Sequence, residues 1–281
     1  MKKILVPFDF SEQATDAFRF ALQIAKQSKS EVHLLHVVEL PVLYDTVLMP
    51  ALSFEEENLQ DMRKNAGLKL ERLVKKYSSS EVSLETKIEL GYTSDTILDY
   101  VDKNEIDQVV MGTKGAKGLR EILIGSNTEK IVRASKIPVI AVKKFVHPRQ
   151  IKNIVFPNTL ETDSHEDLVM KVKALQHSLG ATLHIVWINT PLNFKQDLVT
   201  REHLNHFAKR YMIKDYSLNI FNDAEEEAGI INFTHSIDAD MIALGTHGRK
   251  GLPHILSGSL AENLVNHIDR PVWTYTIKKE S

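Results

Sequence analysis

At 281 residues and 43% hydrophobic, the chain is long enough to build two domains of ordinary size, each with its own core. A formal net charge of −2 and a pI near 6.6 argue against nucleic acid or an acidic membrane surface as the main partner. Cysteine is absent, which removes disulfides, thiolate catalysis and cysteine-ligated zinc together. The apolar run in the opening "MKKILVPFDFS" is too short for a signal peptide and no run reaches the length of a membrane span, so a cytoplasmic protein is expected.

In chain order, "KILVPFDF" reads as a buried parallel strand ended by Pro7. Ser11 is a plausible N-cap for a first helix, whose stripe is Ala14, Ala17, Phe18, Ala21, Leu22 and Ala25. "EVHLLHVV" (Glu31–Val38) is the second strand. The apolar stretch around Val42–Leu52 is broken by Pro41 and Pro50 and has no clean period; it is either a lid or partner surface, or a segment packed on its neighbouring helix. A long helix is expected from about Phe54 to Tyr77, with Leu59, Met62, Ala66, Leu70 and Leu73 on one side. "SLETKIEL" is a third strand, Ser94–Lys103 a helix, "IDQVVMGT" a fourth strand, Asn127–Ala134 a helix and "IPVIAVK" a fifth strand. Strict alternation of strand and helix argues for a parallel sheet covered on both faces.

The pattern then restarts. "IKNIVFPNTLE" echoes "KKILVPFDFSE", "ATLHIVWIN" echoes "EVHLLHVVE", and "RPVWTYTIK" echoes "IPVIAVK". The polar Lys144–Gln150, with Pro148, separates the copies, giving domains at 1–146 and 151–281. The second copy lacks residues where the first has its long helix.

Both copies carry a glycine frame between a strand and a helix: Gly112, Gly115, Gly125 and Ser126 in the first, Gly245, Gly248, Gly258 and Ser259 in the second. Glycine lets a backbone turn through positive φ and approach a ligand, while the free N–H groups of the following helix face an anion. The frame therefore suits phosphate, with the serine hydroxyl as a further donor; tight turning alone is the other reading. Lys114, Lys117 and Arg120, with His247, Arg249 and Lys250 in the second loop, are either phosphate contacts or solvated loop charges. No Walker or nucleophile-elbow sequence occurs, and no catalytic residue is assigned. No protein metal site is expected: His33 and His36 face opposite sides of a strand, and His203 and His206 lack completing ligands.

"PFDFS", "LLHVV", the glycine frame and "PVIAVK" together resemble the universal stress protein (UspA-like) family, over nearly the whole chain and as two tandem domains. The frame is similar to that of the family's ATP-binding branch. The resemblance implies an α/β fold: two tandem five-stranded parallel-sheet domains, Rossmann-like and of the adenine nucleotide alpha hydrolase-like type, related by a pseudo-twofold axis. Nucleotide would lie at the carboxyl ends of the strands. Carried over by residue, Asp9 would accept hydrogen bonds from adenosine, although a local helix-capping role is equally open to it. Val37, Pro7 and Met111 would line the adenine pocket. Gly112 and Gly115 would admit ribose and phosphates, and Gly125, Ser126 and Asn127 would hold the phosphates. ATP is the implied ligand, with Mg2+ bound through its phosphates. In the second copy Ile188, Leu244, Ser259 and Leu260 match Val37, Met111, Ser126 and Asn127, but Thr159 stands where the first copy has Asp9. The first site is therefore expected to bind more tightly.

The resemblance also implies that the fifth strands cover each other's edges, Ile137–Lys143 against Val272–Ile277, as an intrachain pseudo-dimer that can pair further as a homodimer. The function implied is a stress-response protein that binds ATP and acts as a ligand-dependent regulator on an unnamed protein partner. The alternatives are a slow ATPase or self-phosphorylating enzyme, with Ser126 or Ser259 as acceptors, and a ligand-free scaffold.

Overall fold

The computed structural model describes residues 2–39, 52–77, 81–113, 125–158, 166–247 and 258–277. The first half runs β1 (Lys3–Pro7), α1 (Glu12–Ser28), β2 (Glu31–Glu39), α2 (Leu52–Tyr77), β3 (Leu84–Gly91), α3 (Thr93–Lys103), β4 (Gln108–Gly112), α4 (Ser126–Ala134) and β5 (Val139–Val142). A 3-10 turn at Pro148–Gln150 leads to the second half: β6 (Asn153–Pro157), α5 (Glu166–Leu179), β7 (Thr182–Asn189), α6 (Asp197–Arg210), β8 (Tyr216–Asn222), α7 (Glu226–Ser236), β9 (Met241–His247), α8 (Gly258–His267) and β10 (Val272–Ile277).

All ten strands form one sheet in the order β3-β2-β1-β4-β5-β10-β9-β6-β7-β8. Within each half every pairing is parallel; the halves meet in one antiparallel pairing, with Ala141 opposite Val272, Ile140 opposite Trp273 and Val139 opposite Thr274. The expected edge-to-edge cover of the fifth strands is therefore present within one chain. It joins two tandem α/β domains into a continuous sheet.

The alternation of side chains along each strand divides the core into two layers. Ile4 and Val6 of β1 pack with Phe18 and Ala21 of α1, and that layer continues into Phe156, Val172 and Phe207 of the second half. Leu5 points the other way, with Ile97 of α3, Ile131 of α4, and Ile230 and Leu264 of α7 and α8. Neither layer is interrupted at the β5–β10 junction.

The duplication persists in detail. Asp107 accepts from the backbone N–H groups of Lys2 and Lys3, and Asp240, 133 residues later, accepts from Lys152 and Asn153. Each carboxylate ties the start of one strand to the residue just before another. Most of the shortfall in the second copy is the replacement of the 26-residue α2 by the 14-residue α6.

Two expectations need correction. Among the described side chains of α2 only Ala66 and Leu70 are fully buried, whereas Met62 is 52% exposed. The helix packs on β2 and β3, at the edge of the sheet, so less of its apolar stripe is covered. Conversely, α1 also buries Phe20 and Ile24, because it crosses the middle of its half-sheet and contacts β1, β2, β4 and β5. The segment Val42–Ala51 lies outside the described residues. Among those described, no helix is long and apolar enough to cross a membrane.

Candidate functional site: a cleft at the carboxyl ends of the strands

In the first half the chain leaves β1 toward one face of the sheet, through α1, and leaves β4 toward the other, through α4. That divergence between neighbouring strands opens a crevice at their carboxyl ends. The crevice is a cavity of about 480 Å3. Its apolar wall is Pro7, Val37 and Met111, backed by Leu35 and Ile97. Its polar side is formed by Asp9, Glu39 and Thr93, and its far end by the turn Gly125–Thr128 that opens α4. Pro7, Asp9, Val37, Met111, Gly112, Gly125, Ser126 and Asn127 are thus brought together around one space.

Local chemistry positions each group. Ser11 caps α1 by accepting from the Ala14 N–H at 3.1 Å, and Asp9 Oδ1 accepts from the Ser11 N–H at 3.0 Å. Between them Phe10 adopts φ 65°, a left-handed conformation that costs a bulky residue about 1–2 kcal/mol. Its ring is covered by His36 and Phe8 at centroid distances of 4.7 and 5.4 Å, so the turn is held by packing as well as by the carboxylate. Asp9 is therefore part of the local capping turn, and it also borders the cavity.

The start of α4 is different. Gly125 is its N-cap position, and no side chain there bonds the first-turn N–H groups. A helix leaves its first four N–H groups without intrahelical acceptors, with roughly half a positive charge at that end. Asn127 is steadied by Ser94, which donates to Asn127 Oδ1 at 2.9 Å, and the Thr128 hydroxyl donates to the Gly112 carbonyl at 3.4 Å. Across the cleft, Thr93 donates to Glu39 at 2.5 Å. Sequence reasoning missed Glu39, Thr93, Ser94 and Gln13. The available signal was positional, since Thr93 and Ser94 open the helix that follows β3 and so stand at the same end of the sheet.

The glycines divide by role. A Cβ on Gly112 would stand 2.4–2.7 Å from the backbone of Gln13 and Ala14, so this glycine lets β4 and α1 approach each other, a packing role beside those expected from the frame. A Cβ on Gly125 would meet nothing within 4 Å, and its φ of −56° is open to any residue. Gly115 and the cations Lys114, Lys117 and Arg120 lie outside the described residues.

In the second half only part of the corresponding region lies among the described residues. Ile188, in the place of Val37, is buried, and a Cβ on Gly229 of α7 would come within 2.4 Å of its Cγ2. Leu244 is fully buried, and a Cβ on Gly245 would meet Leu168 at 2.4 Å. Leu260 also packs against the core. Glu226 takes the position of Thr93, and burial raises its pKa above the usual carboxylate range. Gly258 and Ser259 open α8, the counterpart of α4. Thr159, Gly248, Arg249 and Lys250 fall outside the described residues.

Comparison with known proteins agrees with this architecture. The model of the universal stress protein family matches residues 1–143 and 222–275. A universal stress protein of Methanocaldococcus jannaschii is 33% identical over 144 residues, covering 51% of this chain and 82% of its own length. A universal stress protein E homolog of Haemophilus influenzae is 24% identical over 294 residues, covering 95% of this chain and 94% of its own. Among solved structures, a universal stress protein from Archaeoglobus fulgidus has the same fold, with a TM-score of 0.76, 19% identity and 98% coverage of both chains. A duplicated parallel half-sheet, a cleft at its strand ends and a family match over most of the chain lead to one conclusion: this chain belongs to the universal stress protein family, as two such domains in tandem.

Proposed function

We propose that the first half, residues 1–146, binds ATP in the cleft and that the chain acts as a ligand-dependent regulator in a stress response. The observation that carries this reading is the pairing, within one cavity of about 480 Å3, of an apolar wall with a helix N-terminus that no described side chain caps. That volume lies within the usual range for small-molecule sites. The adenine ring fits between Pro7, Val37 and Met111, and Asp9 accepts from adenosine through its remaining carboxylate oxygen. The triphosphate runs to the N–H groups of residues 126–128 and the Ser126 hydroxyl, with Mg2+ accompanying it and adding charge neutralisation.

A bound nucleotide would touch the entries of α1, α3 and α4 at once. Its binding energy then favours the arrangement in which these three ends are closed together, which changes the surface offered to a protein partner. No described side chain supplies a defended general base, so regulation is favoured over turnover. The second half, residues 151–281, binds nucleotide weakly or not at all, because Thr159 stands where the first copy has Asp9 and offers neither a charge nor two acceptor oxygens.

The test begins with the purified full chain. Any bound small molecule is released by denaturation, identified and counted by chromatography; Mg-ATP is then titrated while thermal unfolding is followed. About one adenine nucleotide per chain is expected, with stabilisation of about 2.7 kcal/mol at a hundredfold excess over Kd. Asp9→Ala should weaken binding, and Val37→Trp, which fills the adenine wall, should abolish it. Recovery of ADP would favour a slow ATPase. No nucleotide as purified and no response to Mg-ATP would leave a scaffold.

A further inference from the structure

At the opposite end of the first half-sheet, where the strands begin, three potential ligands converge. Glu31 and His33 are two apart on β2 and so share a face, and Glu85 of β3 stands directly opposite His33 in the parallel register. One donor atom from each residue lies within 4.8 Å of the others. We propose that Glu31, His33 and Glu85 form a divalent transition-metal site, for which zinc is the natural probe.

The histidine points to a ligand independently of the acidic pair. His33 is only 3% exposed, and its Nε2 is buried without a hydrogen-bond partner. A buried ring nitrogen left unpaired is costly, and a metal ion satisfies it. Glu31 Oε2 lies 3.4 Å from that nitrogen. Two donors at about 2.0–2.1 Å from zinc in tetrahedral geometry are separated by about 3.4 Å. Glu85 Oε2 lies 3.7 Å from the ring's Nδ1, and its half-exposed side chain would turn from there onto the ion.

The surroundings hold the ligands as metal sites require. His33 Nδ1 is hydrogen-bonded to the Tyr100 hydroxyl at 2.9 Å, which orients the ring with Nε2 toward Glu31. Ser83 donates to Glu31 Oε1 at 3.2 Å, leaving Oε2 toward the histidine. A mixed imidazole and carboxylate set suits zinc, with manganese or cobalt as related occupants.

The second half provides an internal contrast. His184 occupies the register position of His33, opposite Ser217 instead of Glu85. Both its ring nitrogens are bonded to neutral groups, Nδ1 to Ser217 at 2.8 Å and Nε2 to Asn153 at 3.0 Å. The same histidine in the same fold is thus satisfied by neutral side chains in one copy and set between carboxylates with an open nitrogen in the other.

The test uses the full chain, stripped with chelator and free of nucleotide, titrated with zinc chloride by calorimetry and with cobalt chloride by visible absorption. One strong zinc equivalent is expected, with a d–d spectrum of a low-coordinate cobalt site. Affinity should fall ~10-fold or more in Glu31→Gln and in Glu85→Gln, the latter altering a half-exposed side chain. His203→Ala, which removes an exposed histidine of α6, should leave it unchanged. No binding, or binding that both glutamine variants retain in full, would overturn the proposal.

Discussion

Replacing Gly112 by alanine separates two roles that the glycine frame could have. The new Cβ would lie 2.4 Å from the Gln13 carbonyl carbon, 2.5 Å from its oxygen and 2.7 Å from the Ala14 nitrogen. Ordinary contact begins near 3.4 Å, so α1 must retreat by about 1 Å, and these are backbone atoms of a helix start that cannot swing aside as a side chain does. Overpacking of this kind costs about 3 kcal/mol, toward the upper end of the usual range. Gly245→Ala meets the tip of Leu168 instead, a flexible group, and should cost about 1 kcal/mol. Gly125→Ala meets nothing; a small loss of N-cap preference is offset by reduced freedom of the unfolded chain, for a net change within about 0.5 kcal/mol. Urea unfolding followed by far-UV circular dichroism should therefore rank the midpoints Gly112→Ala lowest, Gly245→Ala next and Gly125→Ala close to the parent. The Gly112→Ala midpoint should drop by about 1 M. If Gly112→Ala unfolds with the parent while losing only ATP affinity, the packing role assigned to this glycine is wrong.

Other perturbations address the junction and the pH dependence. Trp273, fully buried where β10 meets β5, should lose about 3–5 kcal/mol on replacement by alanine, read as a lowered thermal midpoint; a change below 1 kcal/mol would mean the junction contributes little. The Tyr275 phenol is pushed above its usual range by burial and then by its hydrogen bond to Asp167, so its stabilisation is complete below pH 10 and declines as pH rises beyond it. Tyr275→Phe should flatten the alkaline arm of the stability profile, and an unchanged arm would contradict this. At Asp107, burial alone would raise the pKa, but the N–H groups of Lys2 and Lys3 outweigh it and hold the carboxyl below the usual range. Its contribution is present above the ordinary carboxylate pKa and is lost as pH falls through the lower, folded value. Asp107→Asn should therefore weaken the protein at neutral pH and make acid unfolding shallower, measured by stability curves between pH 7 and pH 2.

Much of this architecture is written in local patterns. Runs such as Val109–Met111 are apolar on both faces because helices cover both, and the repeat of Pro7 at Pro157 marks the duplication. The cavity lining was legible at or just beyond the carboxyl ends of strands, at Asp9, Val37 and Met111. It was not legible at Glu39, Thr93 and Ser94, which converge only because the βα crossovers return to one end of the sheet. The frame read Gly112 as a ligand cradle because spacing reports where a side chain is absent, not which neighbour needs it absent. The convergence of Glu31, His33 and Glu85 shows the same limit from another side. The pairing of His33 with Glu31 follows from strand alternation, but Glu85 is 52 residues away from His33 and arrives through register alone.

Because β5 and β10 belong to one polypeptide, their pairing is a first-order event whose strength does not vary with protein concentration. A homodimer built on the same contact would separate on dilution, and its twofold symmetry would impose every substitution on both clefts simultaneously. The tandem chain is free of both constraints. Each copy can diverge on its own, as Ile188 in the place of Val37 and Thr159 in the place of Asp9 illustrate, and mutational drift in either leaves its counterpart untouched. The covalent link thus turns an obligatory pair of identical domains into two domains that can specialise, held in fixed proportion at any level of expression.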